Sequence, residues 1–150
     1  MKTIKSNKVL LALSILVSFG SSGVACAHTY TGSLRKPASA TDFFQVTCYD
    51  DGAGYADHLV VEVKDELPKA NPIINVLLVS EGIAKNATDS SDGDALGSPE
   101  INIKGSNGAI YYIFVSKTKA GFENYSLEYH CVSNSNDHVG TSDIVSYQDE

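Results

Sequence analysis

The chain has 150 residues, a formal charge of −7 and 43% hydrophobic residues, enough for one domain with an ordinary core and too little for a second enzyme-sized unit. Eighteen acids against eleven bases argue against a nucleic-acid binder, whose affinity for phosphates comes from clustered Lys and Arg. The composition is too apolar for a disordered chain, and beyond the first thirty residues no apolar run is long enough to cross a bilayer.

Residues 1–27 carry Lys2, Lys5 and Lys8, an apolar stretch from Val9 to Phe19, and the small-residue ending Ala25-Cys26-Ala27. That order of positive start, short apolar middle and A-x-A end is the pattern of a signal peptide cleaved after Ala27. The less favoured alternative is a lipoprotein acylated at Cys26, with Gly23 standing where a large aliphatic residue is usual. Without residues 1–27, eight bases face eighteen acids, a formal charge of −10. The mature chain is expected to be strongly acidic and secreted or periplasmic, with no transmembrane segment.

Residues 28–41, containing Pro37 and small residues, read as an N-terminal arm. From there to residue 132 period-two alternation recurs between turn residues, as in half-buried strands. Asp42 to Cys48 places Phe44, Val46 and Cys48 on one face. His58 to Lys64 does the same with Leu59, Val61 and Val63. Ile73 to Val79 is nearly continuous apolar and predicts a central strand covered on both sides. Ile101 and Ile103 mark a short strand, the Gly105-Ser106-Asn107-Gly108 turn follows, and Ala109 to Val115 is another strand. Tyr125 to Cys131 puts Tyr125, Leu127, Tyr129 and Cys131 on one face. Residues 133–150 read as a polar C-terminal tail with one edge strand at Ile144 to Tyr147. No sustained helical period is present, so the expected fold is all-β, an antiparallel β-sandwich or jelly-roll-like domain of seven to nine strands over residues 42–132.

With Cys26 removed, Cys48 and Cys131 remain, an even count that reads as one disulfide in an oxidising compartment. Both cysteines fall on the apolar faces of their strands, where a bridge inside a sandwich core sits. Closing so long a loop stabilises the fold by about 4 to 5 kcal/mol in the chain-entropy model.

The order of Asp42-Phe43-Phe44-Gln45-Val46, an alternating strand, an apolar strand and a Ser/Asp-rich loop is followed by Gly105-Ser106-Asn107-Gly108-Ala109-Ile110-Tyr111-Tyr112-Ile113-Phe114-Val115 and by Gly121-Phe122-Glu123-Asn124-Tyr125-Ser126-Leu127. This succession, over about residues 41–131, resembles the bacterial pre-peptidase C-terminal (PPC) domain family. The resemblance implies a small secreted β-sandwich of the kind appended to exported enzymes, where it binds substrates or assists secretion; some members hold calcium. Two features depart from that pattern: the chain is expected to stand without an attached enzyme, and the cysteine pair is not general in the family.

Three candidate sites stand out. Between Asn86 and Pro99 the chain concentrates Asp89, Asp92 and Asp94 with Ser, Thr and Gly93, hard oxygen donors suited to Ca²⁺ though not in EF-hand spacing. Cleavage after Ala27 leaves His28 as the first residue, whose amine and ring can chelate copper if His58, His130 or His138 supplies a further imidazole. The eight tyrosines offer stacking surfaces for a sugar or peptide, with Tyr111 and Tyr112 out of phase. No HExxH, GxSxG or phosphate-cradling loop occurs, and adjacent acids such as Asp65 and Glu66 face opposite sides of a strand. The expectation is an exported non-catalytic binding or structural module with a protein, glycan or peptide partner and no nucleic acid. A metal-binding protein, with calcium as the candidate cofactor, is the alternative.

Overall fold

The computed structural model describes residues 27–69, 72–94 and 96–150. The export segment read in residues 1–27, with Cys26, lies outside these but for Ala27. Ten strands form: β1 (His28–Leu34), β2 (Thr41–Tyr49), β3 (Ala56–Glu66), β4 (Ile74–Ser80), β5 (Ile83–Thr88), β6 (Ile101–Lys104), β7 (Ile110–Lys117), β8 (Glu123–Ser133), β9 (His138–Thr141) and β10 (Val145–Gln148). Among the described residues no helix is long and apolar enough to cross a membrane.

Every pairing is antiparallel, as hairpin and Greek-key connections require. One half of the sandwich runs β5-β4-β7-β2, with β10 on the far side of β2; the other runs β9-β8-β3-β6, with β1 also on β8. The two halves join where the end of β2 passes to β9, through Cys48 opposite Thr141 and Tyr49 opposite Gly140. Inward positions of the long strands are almost uniformly apolar: Phe44, Val46, Leu59, Val61, Val63, Ile113, Val115 and Leu127 are all fully buried. The disulfide between Cys48 and Cys131 ties β2 to β8 inside this core, with Cα atoms 5.5 Å apart. The fold class read from the alternation is therefore the fold formed.

Four local readings are corrected. Residues 28–41 are not simply an arm, because β1 occupies 28–34 and pairs with β8 from His28 opposite Tyr129 to Leu34 opposite Glu123. Gly32 hides the alternation of that strand. A Cβ there would lie 2.5 Å from the Tyr125 ring, so the position has no side chain to show in the pattern. Residues 133–150 are likewise not a plain tail: β9 pairs with β8 and β2, and β10, close to the edge strand expected at Ile144 to Tyr147, pairs with β2. The loop read from Asn86 opens in strand, since β5 extends to Thr88. Finally, β4 lies between β5 and β7 but is covered on one face only, and Leu77 points outward, 38% exposed.

A candidate metal centre at one end of the core

Strands β3 and β8 keep their inward phase beyond the last apolar residue. On β3 the series Leu59, Val61, Val63 continues to Asp65; on β8 Tyr129, Leu127, Tyr125 continues to Glu123. Asp65 is 0% exposed and Glu123 is 1% exposed. The register sets them close, with Asp65 opposite Tyr125, two positions along β8 from Glu123. A third carboxylate, Asp92, comes from the loop between β5 and β6, which turns back at Gly93 with a φ of 61° that favours glycine. One oxygen of each of Asp65, Asp92 and Glu123 lies within 4.8 Å of the other two.

Among the described residues nothing satisfies these groups. Both carboxylate oxygens of Asp65, both of Glu123 and Oδ1 of Asp92 are buried without a hydrogen-bond partner. Ion pairs among the described residues join Asp57 to His58 and Lys104, and Glu66 to Lys64, and none of them includes a member of the cluster. Lys117, the cation that acts on Glu123, is itself buried and donates to the backbone carbonyls of Leu34, Arg35 and Gly121. Ionised carboxylates taken out of water are too costly to leave bare: they take up a proton, find a partner or coordinate a metal. Burial, reinforced by the charges of Glu123, Asp92 and Asp89, pushes the Asp65 carboxyl up to about 7 against the opposing dipole of the Ile74 N–H. Glu123 is raised as well, by burial and then by Asp92, with Lys117 opposing.

Of the three aspartates expected to act together in the loop, only Asp92 reaches this centre. Asp89 is buried, but both its oxygens have other work: Oδ2 accepts from the Asp65 N–H at 2.8 Å and Oδ1 from the Ser91 N–H at 3.1 Å. Its own N–H donates to the Ile74 carbonyl, so Asp89 bridges β3 and β4 and holds the root of the loop. Asp94 accepts from the Leu96 N–H at 2.7 Å, a local turn contact. Sequence reading missed Asp65 and Glu123, although the alternation of each strand, carried two residues further, points both inward.

The second candidate, His28, stacks on Tyr129 with ring centroids 5.4 Å apart and shares a small cavity with Tyr49, Asp51 and His138. His130 and His138 stack on one another at 4.5 Å, and His58 is engaged by Asp57 at 2.9 Å. His28 belongs to no group of three metal-ligating side chains among the described residues. Of the tyrosine pair, Tyr111 is buried and Tyr112 faces out.

The fold and this centre define an all-β, disulfide-bridged antiparallel sandwich with three acids gathered at one end of its core. No family model and no curated protein matches the chain. Among solved structures, it is similar to the Yersinia pseudotuberculosis-derived mitogen at 15% identity, covering 81% of this chain and 96% of that one with a TM-score of 0.45. A Broad Bean Stain Virus chain is similar at 12% identity and a TM-score of 0.30, over 95% of this chain and 100% of that one.

Proposed function

We propose that the protein is an exported, non-catalytic β-sandwich module of PPC-like type whose acidic end is completed by a bound calcium ion. The observation that supports this reading is the orphaned state of Asp65 and Glu123, fully buried acids with no hydrogen-bond partner among the described residues. Calcium takes six to eight oxygens in adaptable geometry, and three carboxylates can supply up to six of them. Magnesium fits less well, because it keeps several waters and binds through one or two carboxylates. The ion neutralises the repulsion among the acids and fastens the β5–β6 loop to the ends of β3 and β8. Its role is structural, holding the end of the sandwich farthest from the disulfide.

The pH dependence has a definite sign. In the metal-free protein the raised carboxyl of Asp65 favours the folded state fully below the ordinary value of 3.8, and that contribution fades as pH climbs through about 7. Calcium competes with those protons, so its affinity rises over the same interval. Thermal melting with calcium or EDTA tests the proposal. At a calcium concentration a hundred times Kd, linkage gives ~2.7 kcal/mol, or about 8 °C in melting temperature. No shift at millimolar calcium and neutral pH removes the site.

A further inference from the structure

The two outer faces of the sandwich differ in kind. The face of β3 and β8 carries Glu62, Lys64, Glu66 and Glu128, the usual charged coat of a soluble sheet. On the opposite sheet no outward position of β5, β4, β7, β2 or β10 is Asp, Glu, Lys, Arg or His. The register instead lines up Leu77, Phe114 and Phe43 across β4, β7 and β2. Tyr147 of β10 stacks on Phe43 beyond them, with centroids 5.1 Å apart. Leu77, Ile110, Tyr112, Val145 and Tyr147 are between 37% and 58% exposed. This outward apolar content is why the β4 sequence reads as a strand covered on both sides.

Ring orientation narrows what the face accepts. Phe43 and Phe114 are cross-strand neighbours whose rings are parallel within 6° at 4.5 Å, about one inter-strand spacing, so they stand on edge from the sheet. Upright rings make ridges that interleave with the side chains of another sheet, as in the interior of a sandwich. They do not make the flat platform on which a sugar ring stacks.

Charge narrows it further. A chain with a formal charge of −7, and −10 once residues 1–27 are removed, repels its own copies, and like charges brought together across an interface oppose association. The face free of charge is where two copies meet with least repulsion. Five strands about 4.8 Å apart and seven residues of about 3.3 Å each give an area near 550 Å² per copy, or roughly 1,100 Å² for a pair, just above what a specific interface needs.

We propose that this face docks a second copy of the chain, sheet against sheet, in a reversible dimer with the aromatic ridges interleaved. The proposal is independent of the calcium reading, since the acidic centre lies at one end of the core and not on this face.

Sedimentation velocity on the mature, disulfide-bonded protein tests it. The expected result is a monomer at low micromolar concentration that shifts to a dimer at high micromolar concentration. Molar salt should strengthen association, because it screens the residual repulsion. Leu77→Glu and Tyr112→Glu each place a carboxylate at an exposed position of the face and should weaken dimerisation at least tenfold without lowering the melting temperature of the monomer. Tyr55→Glu, at a position 74% exposed and off the face, should leave it unchanged. A monomer at every concentration and salt overturns the proposal, as does a dimer indifferent to both face variants. So does a monomer that binds neutral polysaccharide through Tyr112, which assigns the face to a glycan.

Discussion

Strand β8 ends in two different devices. At Cys131 it is sewn to β2 by a covalent bond within an apolar core; at Glu123 it meets Asp65 and Asp92 in a group of acids left without hydrogen-bond partners among the described residues. Both positions lie on the inward phase of the same strand, and both are buried. The contrast shows two ways of closing a sandwich: one is complete once the chain has oxidised, and the other waits for a cation or for protons.

The disulfide end sets the largest expected effect. Replacing Cys48 and Cys131 by Ala should lower stability to denaturant by about 4 to 5 kcal/mol while leaving the calcium response of any folded protein in place. If the response vanishes with the bridge, the two ends are coupled and the contrast fails. At the other end, Asp65→Asn or Glu123→Gln should abolish the calcium-dependent rise of about 8 °C, and Asp65→Asn should also flatten the pH dependence of melting in EDTA. A variant that keeps the full rise removes that residue from the centre.

A smaller effect separates a ligand from a support. Asp89→Ala leaves the Asp65 N–H without its acceptor and should cost about 1 to 3 kcal/mol, while calcium still raises the melting temperature. Loss of the calcium response without loss of metal-free stability would make Asp89 a ligand instead. Smallest of all, Asp94→Asn should change stability by less than about 0.5 kcal/mol and leave the calcium shift intact, because Asp94 only closes a local turn. A calcium shift halved by that change would return the site to the loop.

The same contrast explains what was legible beforehand. Cysteine at an inward position of a strand, in a chain whose first residues read as an export signal, has few readings, so the bridge between Cys48 and Cys131 could be read from parity and alternation. Acids default to solvent, and Asp65 and Glu123 stand just where their apolar runs stop, so each looks like the end of a strand. What unites them with Asp92 is register between β3 and β8 and the course of a loop, neither of which leaves a local trace. Dense acids between Asn86 and Pro99 drew attention to the right loop, yet its side chains divide three ways, with Asp89 bracing β3, Asp94 turning the chain and Asp92 entering the centre. Strands β1 and β9 were hidden for a related reason. Gly32 yields to the Tyr125 ring and Gly140 to the Tyr49 ring, so the alternation is broken where the packing is closest.

A calcium titration of the mature protein by calorimetry, at about pH 5 and about pH 8 and paired with melting in calcium and in EDTA, tests the central claim most directly. The expected result is one ion per chain, tighter binding and a larger melting shift at the higher pH, and protons released on binding at the lower. No heat of binding and identical melting curves in calcium and EDTA at both pH values would contradict it, leaving Asp65, Asp92 and Glu123 as a proton-sharing cluster without a metal.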